Sequence, residues 1–176
     1  MLTYIKKINY SNLETELGGI SQKIETLKFP KGFLEFILYS ISEIFANIIE
    51  HSMARNISVK IVISQKKCII EISDDGIGLR SSYLKKKIYP KDDFSAIEFA
   101  LSGLSSKDSK ERGFGLYSVR GLVEALAGRQ KVETGLARAI IEKNKINFQK
   151  IAKKRQGVFI SIESSIRAID FYKIIK

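Results

Sequence analysis

The chain has 176 residues, 30 lysines and arginines against 19 acids, a formal charge of +11 and 44% apolar residues. That length suits one domain, expected to span 1–176, that buries roughly 70% of its unfolded surface without a disulfide or metal staple, and the composition excludes a disordered or fibrous chain. One cysteine, Cys68, excludes a disulfide framework and a multi-cysteine zinc site; no run reads as a signal peptide or nears the ~20 apolar residues of a membrane helix, so a cytoplasmic protein is expected.

Residues 11–28 (SNLETELGGISQKIETLK) predict a helix opening at Ser11, with Glu14 placed for a capping box and Gly18 and Gly19 weakening it. Beyond Pro30 a long helix is predicted from about Phe33 to Ser52. Leu34, Ile37, Leu38, Ile41, Ile44, Phe45 and Ile48 recur there at three- and four-residue spacing, a buried stripe. Two strands follow: Ile57, Val59, Ile61 and Ile63 share one face, as do Cys68, Ile70 and Ile72. The short Gln65-Lys66-Lys67 connection predicts an antiparallel hairpin, and the alternation turns Cys68 inward as an inert thiol. A short helix is predicted over 94–104, then a polar, unperiodic stretch from Ser105 to Gly115. A helix follows with Leu116, Val119, Val123 and Leu126 on one stripe and Gly128 as its stop. Strand-like pieces RQKVET, ARAII and GVFISIES come next, and the end, about 165–176, reads as an appended helix or a tail docked on a partner.

The positive charge gathers in two acid-free runs, 80–91 (RSSYLKKKIYPK) and 143–155 (KNKINFQKIAKKR). Most of it is lysine, with no zinc finger and no aromatic pattern of an RNA-recognition sheet, so nucleic-acid binding is disfavoured. A solvated basic face is the default reading; a field attracting an anionic ligand such as a nucleotide is another.

Three motifs carry chemistry. On the long helix, Glu43, Asn47 and either Glu50 or His51 fall opposite the apolar stripe, a face that can offer an amide oxygen to a hard cation and a carboxylate to a nucleophile, or simply be the wet side. Ser73-Asp74-Asp75-Gly76-Ile77-Gly78 follows a strand. Its glycines admit a close ligand and Asp74 can accept from an exocyclic amine, though such a sequence also makes an ordinary turn. Gly113-Phe114-Gly115-Leu116 opens a helix, a natural seat for phosphate.

In this order, E-x-x-x-N on a helix, D-x-G-x-G after a strand and G-x-G-L opening a helix behind a polar lid resemble the GHKL ATPase superfamily of gyrase, the heat-shock ATPase, mismatch-repair ATPase and histidine kinases. The resemblance runs from about Phe33 to Glu163. It implies a Bergerat-type α/β fold, an α+β two-layer sandwich whose mixed sheet carries helices on one face, with a core of about 33–163. It implies ATP and Mg²⁺ as cofactors, Asn47 holding the metal against the phosphates, Asp74 accepting from the adenine amino group, and Gly76 and Gly78 letting base and sugar settle. Gly113, Gly115 and Leu116 would form the lid-to-helix turn over the phosphates, and Glu43 matches the general base. SEIFANIIEHS resembles the stand-alone serine kinases that double as anti-sigma factors, whereas VRGLVEALAGRQKVETG is similar to a histidine-kinase ATP domain. His51, the only histidine, lies inside the nucleotide motif and reads as a phosphate-side or capping residue rather than a phosphoacceptor.

The chain departs from the family twice. Gly157-Val158 stands where Gly-Thr is usual, removing a hydroxyl that commonly helps fix adenine, and the insert INFQKIAKKR is long and basic, suggesting a partner surface. With few residues after Glu163, the second domain of gyrase-like motors is not expected. The expected function is a Mg-ATP-dependent kinase domain that phosphorylates a serine or threonine of a partner protein, or sequesters it. The alternatives are a histidine-kinase-type ATP domain and an ATP-gated interaction module without turnover. A homodimer is compatible with all three, and no membrane contact is expected.

Overall fold

Strict alternation in 57–72 builds the centre of the protein. The structure, a computed structural model, describes residues 1–103 and 115–175. It holds a five-stranded sheet in the order β1-β2-β3-β5-β4, with β1 at Leu2–Asn9, β2 at Asn56–Ile63, β3 at Lys67–Asp74, β4 at Arg129–Glu142 and β5 at Lys145–Ser165. Val59 lies opposite Ile72 and Ile61 opposite Ile70, all buried. They join a core with residues of α1 (Leu13–Glu25), α2 (Phe33–Asn47), α4 (Asp93–Leu101) and α5 (Leu116–Ala125). The outward face carries ion pairs instead, Lys60 with Glu71 and Lys67 with Glu163. Helices therefore cover one face, as expected for the two-layer sandwich.

The sheet is not mixed, which corrects the sequence reading: all four pairings are antiparallel. The helical crossover leaves β3 and β4 running the same way, but β5 returns from β4 by a hairpin and slots between them. Strand β1 was unforeseen, because Lys6 breaks its alternation; Lys6 and the Tyr4 hydroxyl instead hold Glu16 of α1. The Ser11–Glu14 capping box does not form. Asn9 accepts from the Ser11 amide, and α1 starts at Leu13 after a short 3-10 turn. A capping box forms at α4, between Asp92 and Ser95.

The long helix ends at Asn47 and continues as one wide π turn, Ile48–Ser52, closed by Met53 in the left-handed region. That turn moves Glu50 and His51 off the Glu43–Asn47 register. They pair with each other at 3.5 Å, and Lys86 lies 3.3 Å from the His51 ring. Helix α5 buries its expected stripe, but Ala127 at φ 48 takes the left-handed position assigned to Gly128. Gly128 is needed for space, since a Cβ there would lie 2.7 Å from the Glu163 carbonyl oxygen. The basic run 80–91 begins inside a helix, α3 (Gly78–Lys85). The basic insert before Gly157 forms the distal half of β5, paired with β4 through a two-residue turn at Lys143-Asn144, both at positive φ. Cys68 is buried as read, and burial pushes its thiol up to about 12.

The C-terminal segment docks on the chain itself. Ile169 donates to the Lys31 carbonyl, Arg167 to the Ala125 carbonyl, and Phe171 of α6 (Phe171–Ile174) meets Tyr39 edge-on at 5.6 Å. Phe171→Ala is expected to cost about 3 kcal/mol, read as a lowered denaturant midpoint with an unchanged slope.

Candidate functional site

Helix α2 carries Glu43 and Asn47 one turn apart, so both look in one direction. What they look at is Gly115, the residue before α5. A Cβ on Gly115 would lie 3.6 Å from the Asn47 Nδ2, 3.7 Å from its Oδ1 and 4.0 Å from Glu43 Oε2. Gly115 has φ 56 and ψ −127, a conformation that side-chain-bearing residues avoid. The first and third motifs thus meet. Leu116 is not on this rim; it is buried in the core as the first residue of α5. Gly113 and the expected lid, Ser105 to Arg112, lie outside the described residues.

The second motif joins at the other end of the π turn. The Ile77 amide donates to the Ser52 carbonyl at 2.8 Å, and a Cβ on Gly76 would sit 2.1 Å from that same oxygen. Asp74, at the end of β3, is 6% exposed and turned to the helical side. Its Oδ1 accepts from the Gly76 amide at 2.8 Å and its Oδ2 from the Val158 amide at 3.2 Å. Burial nevertheless raises its pKa above the ordinary aspartate value, against the pull of these two amides. Each oxygen keeps a lone pair for a donor arriving in the site.

Asp75 does different work. Burial would raise its pKa, but hydrogen bonds from Asn56 and Arg55 lower it overall, and its carboxylate ties β3 to the start of β2. Of the two adjacent acids, Asp74 is the buried one and Asp75 the one bonded across to β2.

A cleft of about 420 Å³ opens at this end, walled by Gly76, Gly78, Thr134 and Gly157 with Arg80 and Lys154 beside them. Its size suits a small organic ligand. Glu43, Asn47 and Asp74 are not among its walls; Asp74 meets the cleft through Gly76, whose amide its Oδ1 accepts from. Gly78 at φ 77 and Gly157 at φ 66 are close-approach positions: a Cβ would lie 2.7 Å from Thr134 Oγ1 in the first case and 2.1 Å from the Asp74 carbonyl oxygen in the second.

Two polar side chains near the site, Thr134 and Tyr39, carry no signal in the motifs. Thr134 is buried, donates from Oγ1 to the Gly157 carbonyl at 3.0 Å and accepts from the Leu79 amide at 3.2 Å. The signal was its parity with Gln130 and Val132 on the inward face of β4. Tyr39, one turn before Glu43, has its pKa raised by burial first and by the Glu43 carboxylate, with Ser118 of α5 opposing.

The pattern of the family described as histidine kinase-, DNA gyrase B-, and HSP90-like ATPase matches residues 35–163. The sensor histidine kinase NarS of Mycobacterium tuberculosis is 29% identical over 48 residues, which make up 27% of this chain and 11% of that protein. The chain thus matches a small part of that kinase's length. The family match covers both the Glu43–Asn47 helix and the Asp74 turn and runs on through β5 to Glu163. The chain belongs to the histidine kinase-, DNA gyrase B-, and HSP90-like ATPase family.

Proposed function

We propose that the chain, as one domain, binds Mg-ATP and directs its γ-phosphoryl group to a side chain of a partner protein. The observation that supports this best is the seat of Gly115 against Asn47 and Glu43, because it sets a helix start, an amide oxygen and a carboxylate around one space. Asp74 fits the base end: a buried carboxylate with spare lone pairs recognises an exocyclic amine. Among the described residues no cluster of His, Cys, Asp or Glu could hold a metal alone. Asn47 would hold Mg²⁺ jointly with phosphate oxygens, as a hard cation that keeps few protein ligands allows. Bound Mg-ATP supplies a γ-phosphoryl electrophile whose charge the metal partly offsets. Glu43 accepts the proton of the incoming hydroxyl, and the Gly115 turn faces that pair. No helix among the described residues is long and apolar enough to cross a membrane.

The favoured acceptor is a serine or threonine, as in the anti-sigma kinases that SEIFANIIEHS resembles. A second reading, favoured by the likeness to a sensor histidine kinase, has a histidine acceptor on another chain. Calorimetric titration of ATP with and without Mg²⁺, on wild type and Asn47→Ala, tests the binding. Metal-dependent binding is expected in wild type, with the metal dependence lost in the variant. No binding at millimolar ATP would overturn the reading. Acid treatment of a labelled acceptor separates the two kinases, since phosphoserine survives acid and phosphohistidine does not.

A further inference from the structure

The carboxylate of Asp74 is held by amides from two separate segments, Gly76 in the turn after β3 and Val158 in β5. The β3–β5 ladder, with Ser73 opposite Phe159, and a 2.6 Å bond from the Gln156 side-chain amide to the Asp75 carbonyl join the two segments at their bases. Thr134 adds a tie from β4: its hydroxyl accepts from Leu79, three residues beyond Gly76, and donates to Gly157, the residue before Val158. We propose that Thr134 is a positioning residue for nucleobase recognition, clamping the two segments that aim the Asp74 carboxylate. This rests on the nucleotide reading above.

Several features make the clamp specific rather than incidental. Thr134 stands directly opposite Val158 in the β4–β5 register, and that register breaks at the next residue, Gly135. Asp93 pins the break, accepting from the Leu136 amide at 2.8 Å. The bulge shifts the parity of the inward row, so that Gln130, Val132 and Thr134 are buried before it and Ala137, Ala139 and Ile141 after it, and Thr134 is the last inward side chain on the near side. Gly78 is required to be bare beneath it, since a Cβ there would lie 2.7 Å from Oγ1. The hydroxyl spends one donor and one lone pair on its two partners and keeps a second lone pair. Val158, where the family usually has threonine, offers no hydroxyl of its own.

Thr134→Val keeps the volume, removes both bonds and leaves the Leu79 N–H and Gly157 carbonyl unpaired. The test is calorimetric titration of ATP and of inosine triphosphate, which has a carbonyl oxygen in place of the adenine amine, on wild type, Thr134→Val and Thr134→Ser. Wild type is expected to prefer ATP; Thr134→Val is expected to lose about tenfold in ATP affinity and most of the preference, and Thr134→Ser to stay near wild type. Unchanged affinity and preference in Thr134→Val overturns the clamp while leaving the nucleotide reading intact. Failure of wild type to bind ATP, or to distinguish the two nucleotides, overturns both. Should Thr134→Val not fold, hydrogen exchange in the wild type decides. A protected Leu79 amide that gains protection with ATP supports the clamp, and one exchanging as freely as an exposed amide overturns it.

Discussion

Asp74→Asn is expected to weaken ATP binding by about 100-fold, because it replaces a buried charged acceptor with an amide that presents N–H groups toward an incoming amine. Inosine triphosphate should lose little by comparison. The folded protein should be nearly as stable as wild type. Burial raises the Asp74 pKa, so between its ordinary and raised values the folded state binds more protons than the unfolded one. Stability therefore falls as pH rises through that window, and neutralising the side chain relieves this cost. The loss of the 3.2 Å bond from Val158 works the other way. The expected result is a Tm within a few degrees of wild type and a large loss in calorimetric affinity. Wild-type affinity should rise with pH as Asp74 ionises and level off above its raised pKa, while the Asp74→Asn profile stays flat. Equal affinity of the two proteins would remove Asp74 from the base site.

Gly157→Ala puts a Cβ within 2.1 Å of the Asp74 carbonyl oxygen and 2.6 Å of its Oδ1, at φ 66. The same site is thus disturbed through the backbone, and here a loss of stability should accompany the loss of binding.

The parts of the protein legible in the sequence are those where a short-range pattern matches a one-sided environment. Strands β2 and β3 alternate strictly because one face is core and the other is wet, and three residues join them. The α2 stripe reads for the same reason, with Ile37, Ile41, Ile44 and Phe45 all buried. Strand β1 and the distal half of β5 were harder. Lys6 interrupts the first, and the second is mostly exposed along 145–154, so neither carries the alternation that burial imposes. The π turn after Asn47 has no sequence signature, yet it delivers the Ser52 carbonyl to Ile77 and so joins two motifs. Thr134 was invisible for a different reason. Its partners lie 55 and 23 residues away, and only the β4–β5 register brings them together. Motif spacing marked Asp74 rather than Asp75, and the two differ in place: Asp74 is buried at the end of β3, and Asp75 is bonded to Arg55 and Asn56.

Glu43→Gln separates a kinase from an ATP-gated switch. Asn47 and Gly115 are untouched by the change, and Gln keeps the shape of the Glu43 side chain, whose Oε2 would lie 4.0 Å from a Cβ on Gly115, so ATP affinity should hold within about threefold. Phosphoryl transfer should fall by about 100- to 1,000-fold, because a general base in reach of the acceptor hydroxyl contributes on that scale. Tyr39, one turn earlier on the same helix, has its pKa raised by burial and by the Glu43 carboxylate. Single-turnover loss of labelled γ-phosphate, to a supplied acceptor or to water, reads the difference. A wild type that binds Mg-ATP but shows no such loss, matched by Glu43→Gln, would make ATP-gated partner binding rather than transfer the output of the site. A variant that binds normally and transfers slowly would place the reacting hydroxyl at Glu43, on the α2 face that Gly115 approaches and one turn from the side chain that would hold the metal.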